Sequence, residues 1–93
     1  MATQKRTYRE LERIVKGFSN HRRLEIMELL RVVPELSVDE IAERLTIGYE
    51  NASDHLRKLA IGGLVMKRND GPYVRHKLTR RGAIVLAFCK TLE

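Results

Sequence analysis

The fold class predicted by this 93-residue sequence is mainly α, about five helices with one small β-hairpin. Three observations in residues 37–78 predict it. Ser37-Val38-Asp39-Glu40 is a capping box, a serine hydroxyl able to accept an orphan helix amide and a glutamate placed to answer it. Beyond Thr46-Ile47-Gly48 a new apolar stripe of Ala52, Leu56 and Leu59 begins, and it closes at Gly62-Gly63, a pair suited to a left-handed helix end. Two runs of β-formers then flank Asn69-Asp70-Gly71-Pro72, residues that tolerate a tight turn. Helix, turn, second helix with a basic end, and basic hairpin together make a winged helix-turn-helix. The helix-turn-helix spans about 37–62 and the wing about 64–78.

The remaining elements follow in chain order. Tyr8, Leu11, Val15 and Phe18 recur at helical spacing among charged residues, so residues 6–18 read as an amphipathic first helix ending near Gly17. Ser19 or Asn20 can cap a second helix that turns Leu24, Ile26, Met27, Leu30 and Val33 inward until Pro34 stops it. Val38, Ile41, Ala42 and Leu45 form the inner stripe of the third helix. The fourth would be the recognition helix. Thr79 caps a last helix over residues 80–92. No repeat or linker interrupts the chain, so residues 1–93 are expected to be one domain.

Composition narrows the function classes. At 43% hydrophobic content the chain can build one core, but a domain this small buries little more than about 60% of its unfolded surface, so a partner surface is expected. No run approaches the roughly 18 to 20 apolar residues of a membrane helix, and residues 1–6 lack the apolar region of a signal peptide, which points to a cytoplasmic protein. Cys89 is the single cysteine; a lone thiol on an apolar helix reads as packing rather than chemistry.

Charge is uneven. Residues 1–54 hold nine lysines and arginines against ten acids, a net of −1, whereas residues 55–93 hold nine against two, a net of +7. Arg57, Lys58, Lys67, Arg68, Arg75, Lys77, Arg80 and Arg81 carry this excess, the electrostatic pattern of a nucleic-acid-facing surface. With Ala52, Leu56 and Leu59 inward, the outer face of the fourth helix holds Glu50, Asp54 and Arg57, flanked by Asn51, Ser53 and Lys58, with Tyr49 and His55 near the edge of the buried stripe. Asn51 and Ser53 are suited to reading base edges. Glu50 and Asp54 repel phosphates, although a carboxylate can accept from cytosine N4; their plainer role is pairing within the helix, Asp54 with Arg57 or Lys58. The expected DNA-binding set is therefore Tyr49, Glu50, Asn51, Ser53, Asp54, His55, Arg57, Lys58, Lys67, Arg68, Arg75 and Lys77.

Catalysis has little support. In Ser53-Asp54-His55 successive side chains diverge by about 100° on a helix, so they cannot converge on one reacting atom. His21, His55 and His76 fall on three different elements with no ligand spacing between them. No metal site and no cofactor are expected.

The sequence resembles the ArsR-type winged-helix transcriptional regulators over about residues 18–78. Ser19-Asn20-His21-Arg22-Arg23-Leu24-Glu25-Ile26-Met27 is similar to the start of that family's second helix. Leu36-Ser37-Val38-Asp39-Glu40-Ile41-Ala42-Glu43-Arg44-Leu45, Ala52-Ser53-Asp54-His55-Leu56-Arg57-Lys58-Leu59 and Gly63-Leu64-Val65 resemble its helix-turn-helix and the exit into the wing. Leu78-Thr79-Arg80-Arg81-Gly82 also resembles the hairpin-to-helix junction of MarR-type regulators. The resemblance implies a homodimer that binds double-stranded operator DNA and represses transcription. Three departures stand out. Ser37-Val38-Asp39 replaces the Cys-x-Cys pair of thiolate metal sensors, the last helix has no histidine for the family's other metal site, and Thr46 and Gly48 stand where the family often has glycine then serine. A β-branched residue resists positive φ, so a different turn geometry or helix start is expected.

Two function classes remain: a dimeric DNA-binding regulator, which charge favours, and a winged-helix module that binds another protein, with Glu50 and Asp54 weakening DNA affinity. For the dimer, Ala83-Ile84-Val85-Leu86-Ala87-Phe88-Cys89 is apolar on every side, and one core can cover only one face. Tyr8, Leu11, Val15, Phe18, Ile84, Val85, Phe88 and Cys89 are the expected interface. The alternative is that the first helix buries this run within one subunit. The effector, if there is one, is unknown from sequence.

Overall fold

The computed structural model describes residues 6–93. Among them are helices α1 (Tyr8–Phe18), α2 (His21–Val32), α3 (Val38–Leu45), α4 (Tyr49–Ile61) and α5 (Arg80–Lys90), and strands β1 (Val65–Asp70) and β2 (Tyr73–Leu78), in the order α1-α2-α3-α4-β1-β2-α5. The reading of the N-terminus as lacking a signal peptide falls almost wholly on residues 1–5, outside the described residues. Among the described residues no helix is long and apolar enough to cross a membrane.

Side-chain caps set four helix starts. Thr7 and Ser37 each take part in a capping box, with Glu10 and Glu40 answering the cap amide at 2.8 and 2.9 Å. Asn20 accepts from Arg22 and Arg23, and Thr79 accepts from Gly82. Each such bond removes an orphan amide and stabilises its helix by about 1 kcal/mol.

The core gathers one apolar stripe from each of α2 to α5 and the root of the hairpin: Ile26, Met27, Leu30, Leu36, Ile41, Leu56, Leu59, Leu64, Val65 and Leu86. Burying each large side chain contributes about 1.5 to 3 kcal/mol. Leu24 and Val33, expected inward, are half-buried and pack against this cluster. α1 lies across α4, where Gly17 and Gly62 let the backbones meet: a methyl on Gly17 would stand 3.4 Å from the Gly62 Cα.

The hairpin is antiparallel, with Val65 opposite Leu78 and Asp70 opposite Tyr73. Asn69 and Asp70, read from sequence as part of the turn, therefore belong to β1, and the turn is the pair Gly71-Pro72, with Gly71 at φ +61°. Leu36 adds an isolated bridge to His76 on the other edge of β2. His76 is almost wholly buried there. Its backbone N–H donates to the Leu36 carbonyl at 2.9 Å, and its Nδ1 lies 3.0 Å from the same oxygen, which requires a proton on Nδ1. Burial pushes its pKa below the ordinary histidine value, against the pull of that bond.

The turn between α3 and α4 answers the expectation about Thr46. Thr46 adopts the left-handed conformation itself, φ +56° and ψ +50°, while Gly48 sits at an ordinary φ of −66°. The amide of Thr46 caps α3 by donating to Ala42 and Glu43. The helix start does differ: Gly48 caps α4 without a side-chain bond.

Candidate nucleic-acid interface

Because Ala52, Leu56 and Leu59 are buried, helix geometry directs the opposite face of α4 to solvent. Glu50, Asn51 and Arg57 are exposed there, Tyr49 is 54% exposed at the first turn, and Ser53, Asp54 and Lys58 are half-buried. Asp54 accepts from Arg57 at 2.6 Å and pairs with Lys58 at 3.3 Å, and these bonds hold its carboxyl below the usual aspartate range. The intrahelical pairing expected from the sequence is thus present. Glu50 has no ion-pair partner among the described residues.

His55 faces a different way. Its Nδ1 accepts from the Nε of Arg23 at 3.2 Å, while the same guanidinium donates to the Lys16 carbonyl at 2.9 Å at the end of α1. Burial first, and then the Arg23 charge, pushes the His55 pKa down, and through Arg23 the ring joins α4 to α1 and α2. Its place among the expected DNA-contacting residues is a strut behind the face.

In the wing, strand alternation and register put Met66, Arg68, Asp70, Tyr73, Arg75 and Lys77 on one side and Lys67 with His76 on the other. Lys67 and Lys77 are exposed. Arg68 donates from Nε and Nη2 to one oxygen of Glu35, at 3.1 and 2.8 Å. Arg75 is held more tightly, paired with Glu40 at 3.2 Å and Asp70 at 3.1 Å and lying 5.1 Å from the Tyr73 ring centroid. Both arginines therefore tie the wing to the α2–α3 loop and to the start of α3. A cleft of about 150 Å³ joins the two halves of the surface, with Tyr49 on one wall, Pro72, Tyr73 and Val74 on the other, and Ser37, Val38 and Asp39 between.

A second cavity, of 370 Å³, is lined by Arg13, Lys16, Gly17, Arg23, Lys58 and Ile61. Residues 1–54 are close to neutral as a whole, so net charge does not mark it. The available signal was the spacing of Arg9, Arg13 and Lys16, which places three cations on one side of α1.

Of the expected interface residues, Tyr8, Leu11 and Val15 are exposed on α1, and Ile84 and Phe88, 59% and 56% exposed, on α5. Phe18 and Val85 are half-buried against the protomer's own core, and Cys89 is half-buried. α1 packs on α4, and α5 on α2 and β2, so the first helix does not bury Ile84 and Phe88 within the subunit. Among the described residues no three histidine, cysteine or acidic side chains come together to hold a metal ion. Asp54 and His55 turn to different partners, as expected for adjacent helix positions.

Residues 20–67 match the family described as bacterial regulatory protein, arsR family. No curated protein matches the chain. Among solved structures, the chain is similar to the homodimeric winged helix-turn-helix DNA-binding domain (fragment 1–100) of Mb0332 from Mycobacterium bovis, a possible ArsR-family transcriptional regulator. The TM-score is 0.83 at 29% identity, covering 99% of this chain and 89% of that one. It is similar also to HlyU from Vibrio cholerae, with TM-score 0.78 and 28% identity over 96% and 97% of the two chains. FabT of Streptococcus pneumoniae, solved in complex with DNA, shares the fold at TM-score 0.69 and 14% identity, over 75% of this chain and 51% of that one.

Proposed function

This chain belongs to the ArsR family of bacterial regulatory proteins, and on that premise we propose that it is a sequence-specific transcriptional regulator that binds double-stranded DNA as a homodimer. The reading is of a cytoplasmic repressor on a palindromic operator, with no catalytic step. One observation carries it: the first turn of α4, through Tyr49, and the tip of the wing, through Pro72, Tyr73 and Val74, meet across a shared cleft, while Asn51 and Arg57 on α4 and Lys67, Arg68 and Lys77 on the hairpin are exposed. Asn51 and Ser53 read base edges, Glu50 accepts from cytosine N4, and Tyr49 lies against the groove wall. Arg57, Lys58, Lys67, Arg68, Arg75 and Lys77 face phosphates. Their ion pairs with Asp54, Glu35, Glu40 and Asp70 are solvent-accessible and worth about 0 to 1 kcal/mol each, so phosphates can replace them.

The exposed apolar faces of α1 and α5 support the dimer, as does the likeness to the homodimeric Mb0332 domain. A two-fold axis there sets two recognition helices about one DNA turn apart, roughly 34 to 36 Å. The test is a fluorescence anisotropy titration of random duplex DNA at several salt concentrations. With about eight phosphates neutralised per dimer, log affinity falls against log salt with a slope of about −7. A slope near zero, or no binding at low salt, overturns the reading in favour of a protein-binding module.

A further inference from the structure

We propose that the cavity between α1, the start of α2 and the second half of α4 seats the DNA backbone, extending the interface to a second run of phosphates held by Arg9, Arg13, Lys16 and Lys58. The proposal rests on the DNA-binding reading above and adds residues that neither the helix-turn-helix nor the wing supplies.

Three observations carry it. The first is continuity with the recognition face. Lys58 lines the cavity and is also bonded to Asp54 on the outer side of α4, so cavity and recognition face share a residue. The second is shape. Arg13 and Lys16 also line an adjoining concavity together with Arg9 and Glu12, so the cations form a stripe along α1, edged by one acid, rather than one compact nest. From residue 9 to residue 16 a helix rises about 10 Å, and over that length one DNA strand presents about three phosphates. An elongated stripe suits a polyanion better than a single small anion.

The third observation is availability. Arg9 and Arg13 have no acidic partner among the described residues, and Lys16 pairs only with Glu12, at 2.9 Å and in solvent. Arg23 is built in rather than free, because its guanidinium holds the last carbonyls of α1 and His55; it supplies fixed positive charge behind the stripe. The dimer does not compete for this surface. At about 100° per residue the stripe lies about 130° around α1 from Tyr8, Leu11 and Val15.

The experiment compares the full chain with the triple variant Arg9→Gln, Arg13→Gln, Lys16→Gln, reading the salt dependence of random-duplex binding by anisotropy. If two of the three side chains touch phosphate in each subunit, these four contacts steepen the full chain's slope from the roughly −7 of α4 and the wing to about −11, and the variant is shallower by about 3.6. Affinity should fall equally for all sequences, and melting temperature and dimer state should stay unchanged. A variant with the wild-type slope overturns the proposal while leaving the DNA-binding reading intact, whereas a wild type without affinity for DNA overturns that reading first. Titration with inorganic phosphate separates the remaining source of anion: saturable amide shifts at Arg13, Lys16 and Lys58 at sub-millimolar phosphate, together with an unchanged slope, would assign the cavity to a small anion instead.

Discussion

One protomer carries two uncovered surfaces of opposite chemistry. On α1 and α5 it exposes Tyr8, Leu11, Val15, Ile84 and Phe88. On α4 and the wing it exposes Glu50, Asn51, Arg57, Lys67, Arg68 and Lys77, with Tyr49, Ile61, Met66, Tyr73 and Val74 interspersed among them. Water disfavours the first surface at all times, at about 25 cal/mol per Å² of apolar area, so a partner that covers it stays. The second is at ease in water, and its ion pairs are cheap to exchange, so a ligand there comes and goes with salt. Under the proposed function the difference separates what would assemble the regulator from what it would read, and each surface can be broken without the other.

The largest effect is expected on the apolar side. In the proposed dimer, Phe88→Glu removes a large apolar contact from each subunit and puts a charge in its place. At about 1.5 to 3 kcal/mol per side chain, counted twice by the two-fold axis, dimer dissociation should strengthen by roughly 10² to 10⁴ in Kd. Phe88 is exposed in the protomer, so the monomer should remain folded. Val85→Glu is the poorer choice, because Val85 packs against its own core. Sedimentation checks the outcome, and a Phe88→Glu protein that stays dimeric at micromolar concentration refutes the assignment of this face.

Breaking the charged side from beneath should cost less. His76→Ala strips the ring from the root of the wing and leaves the Leu36 carbonyl without its side-chain donor, a loss of about 2 to 4 kcal/mol of stability with the apolar faces untouched. The same residue predicts the pH response. The folded pKa values of His76 and His55 are both lowered, chiefly by burial, so the unfolded chain binds protons first as pH falls. Their contribution to stability is complete above the ordinary histidine pKa of about 6.5 and declines as pH drops below it. Thermal melts at fixed protein concentration between about pH 7.5 and 5 should show this decline, and a shallower one in His76→Ala. An unchanged profile in that variant would remove His76 as its source.

The same division explains what the sequence made legible. The helices, their caps at Ser37 and Thr79, and the Asp54–Arg57 pair depend on partners three or four residues apart, and periodicity finds such partners. The wing depends on partners far along the chain: Arg68 with Glu35, Arg75 with Glu40, His76 with Leu36, separated by 33, 35 and 40 residues. Nothing in local spacing announces those, so the sequence shows Arg75 as a cation of the wing without the Glu40 and Asp70 carboxylates that hold it. His55, expected at the edge of the DNA face, turns to Arg23 for a related reason. A helical wheel gives an angle, but only the arrival of α2 with Arg23 decides which side of that angle is covered. On α1 the cations alternate with acids, so the net charge of the segment hides the stripe they form.

Specificity should respond on a smaller scale than assembly or folding. Asn51→Ala removes an exposed amide suited to adenine and should lower discrimination by about 1 to 3 kcal/mol at one base position, with the salt slope retained. Competition binding against single-position operator variants measures it. Uniform weakening across all sequences would instead make Asn51 a backbone contact.

The smallest expected effect tests how the charged face is aimed. Thr46 is an exposed β-branched residue in the left-handed region, where an L side chain costs about 1 to 2 kcal/mol per residue relative to the right-handed form. Glycine adopts that conformation freely but gives the unfolded chain more entropy, an opposing term of about 0.4 to 1 kcal/mol. Thr46→Gly should therefore stabilise the fold by about 0 to 1.6 kcal/mol, seen as a rise of at most a few degrees in Tm. If the turn is only a connection, DNA affinity and dimer state stay as they were, because the Thr46 amide still caps α3 and the buried stripe of α4 still sets its angle. A loss of stability would show that the threonine side chain has a role in the turn beyond its backbone conformation. A tenfold loss of DNA affinity in a stable Thr46→Gly protein would show that the strained residue fixes the direction of the recognition helix.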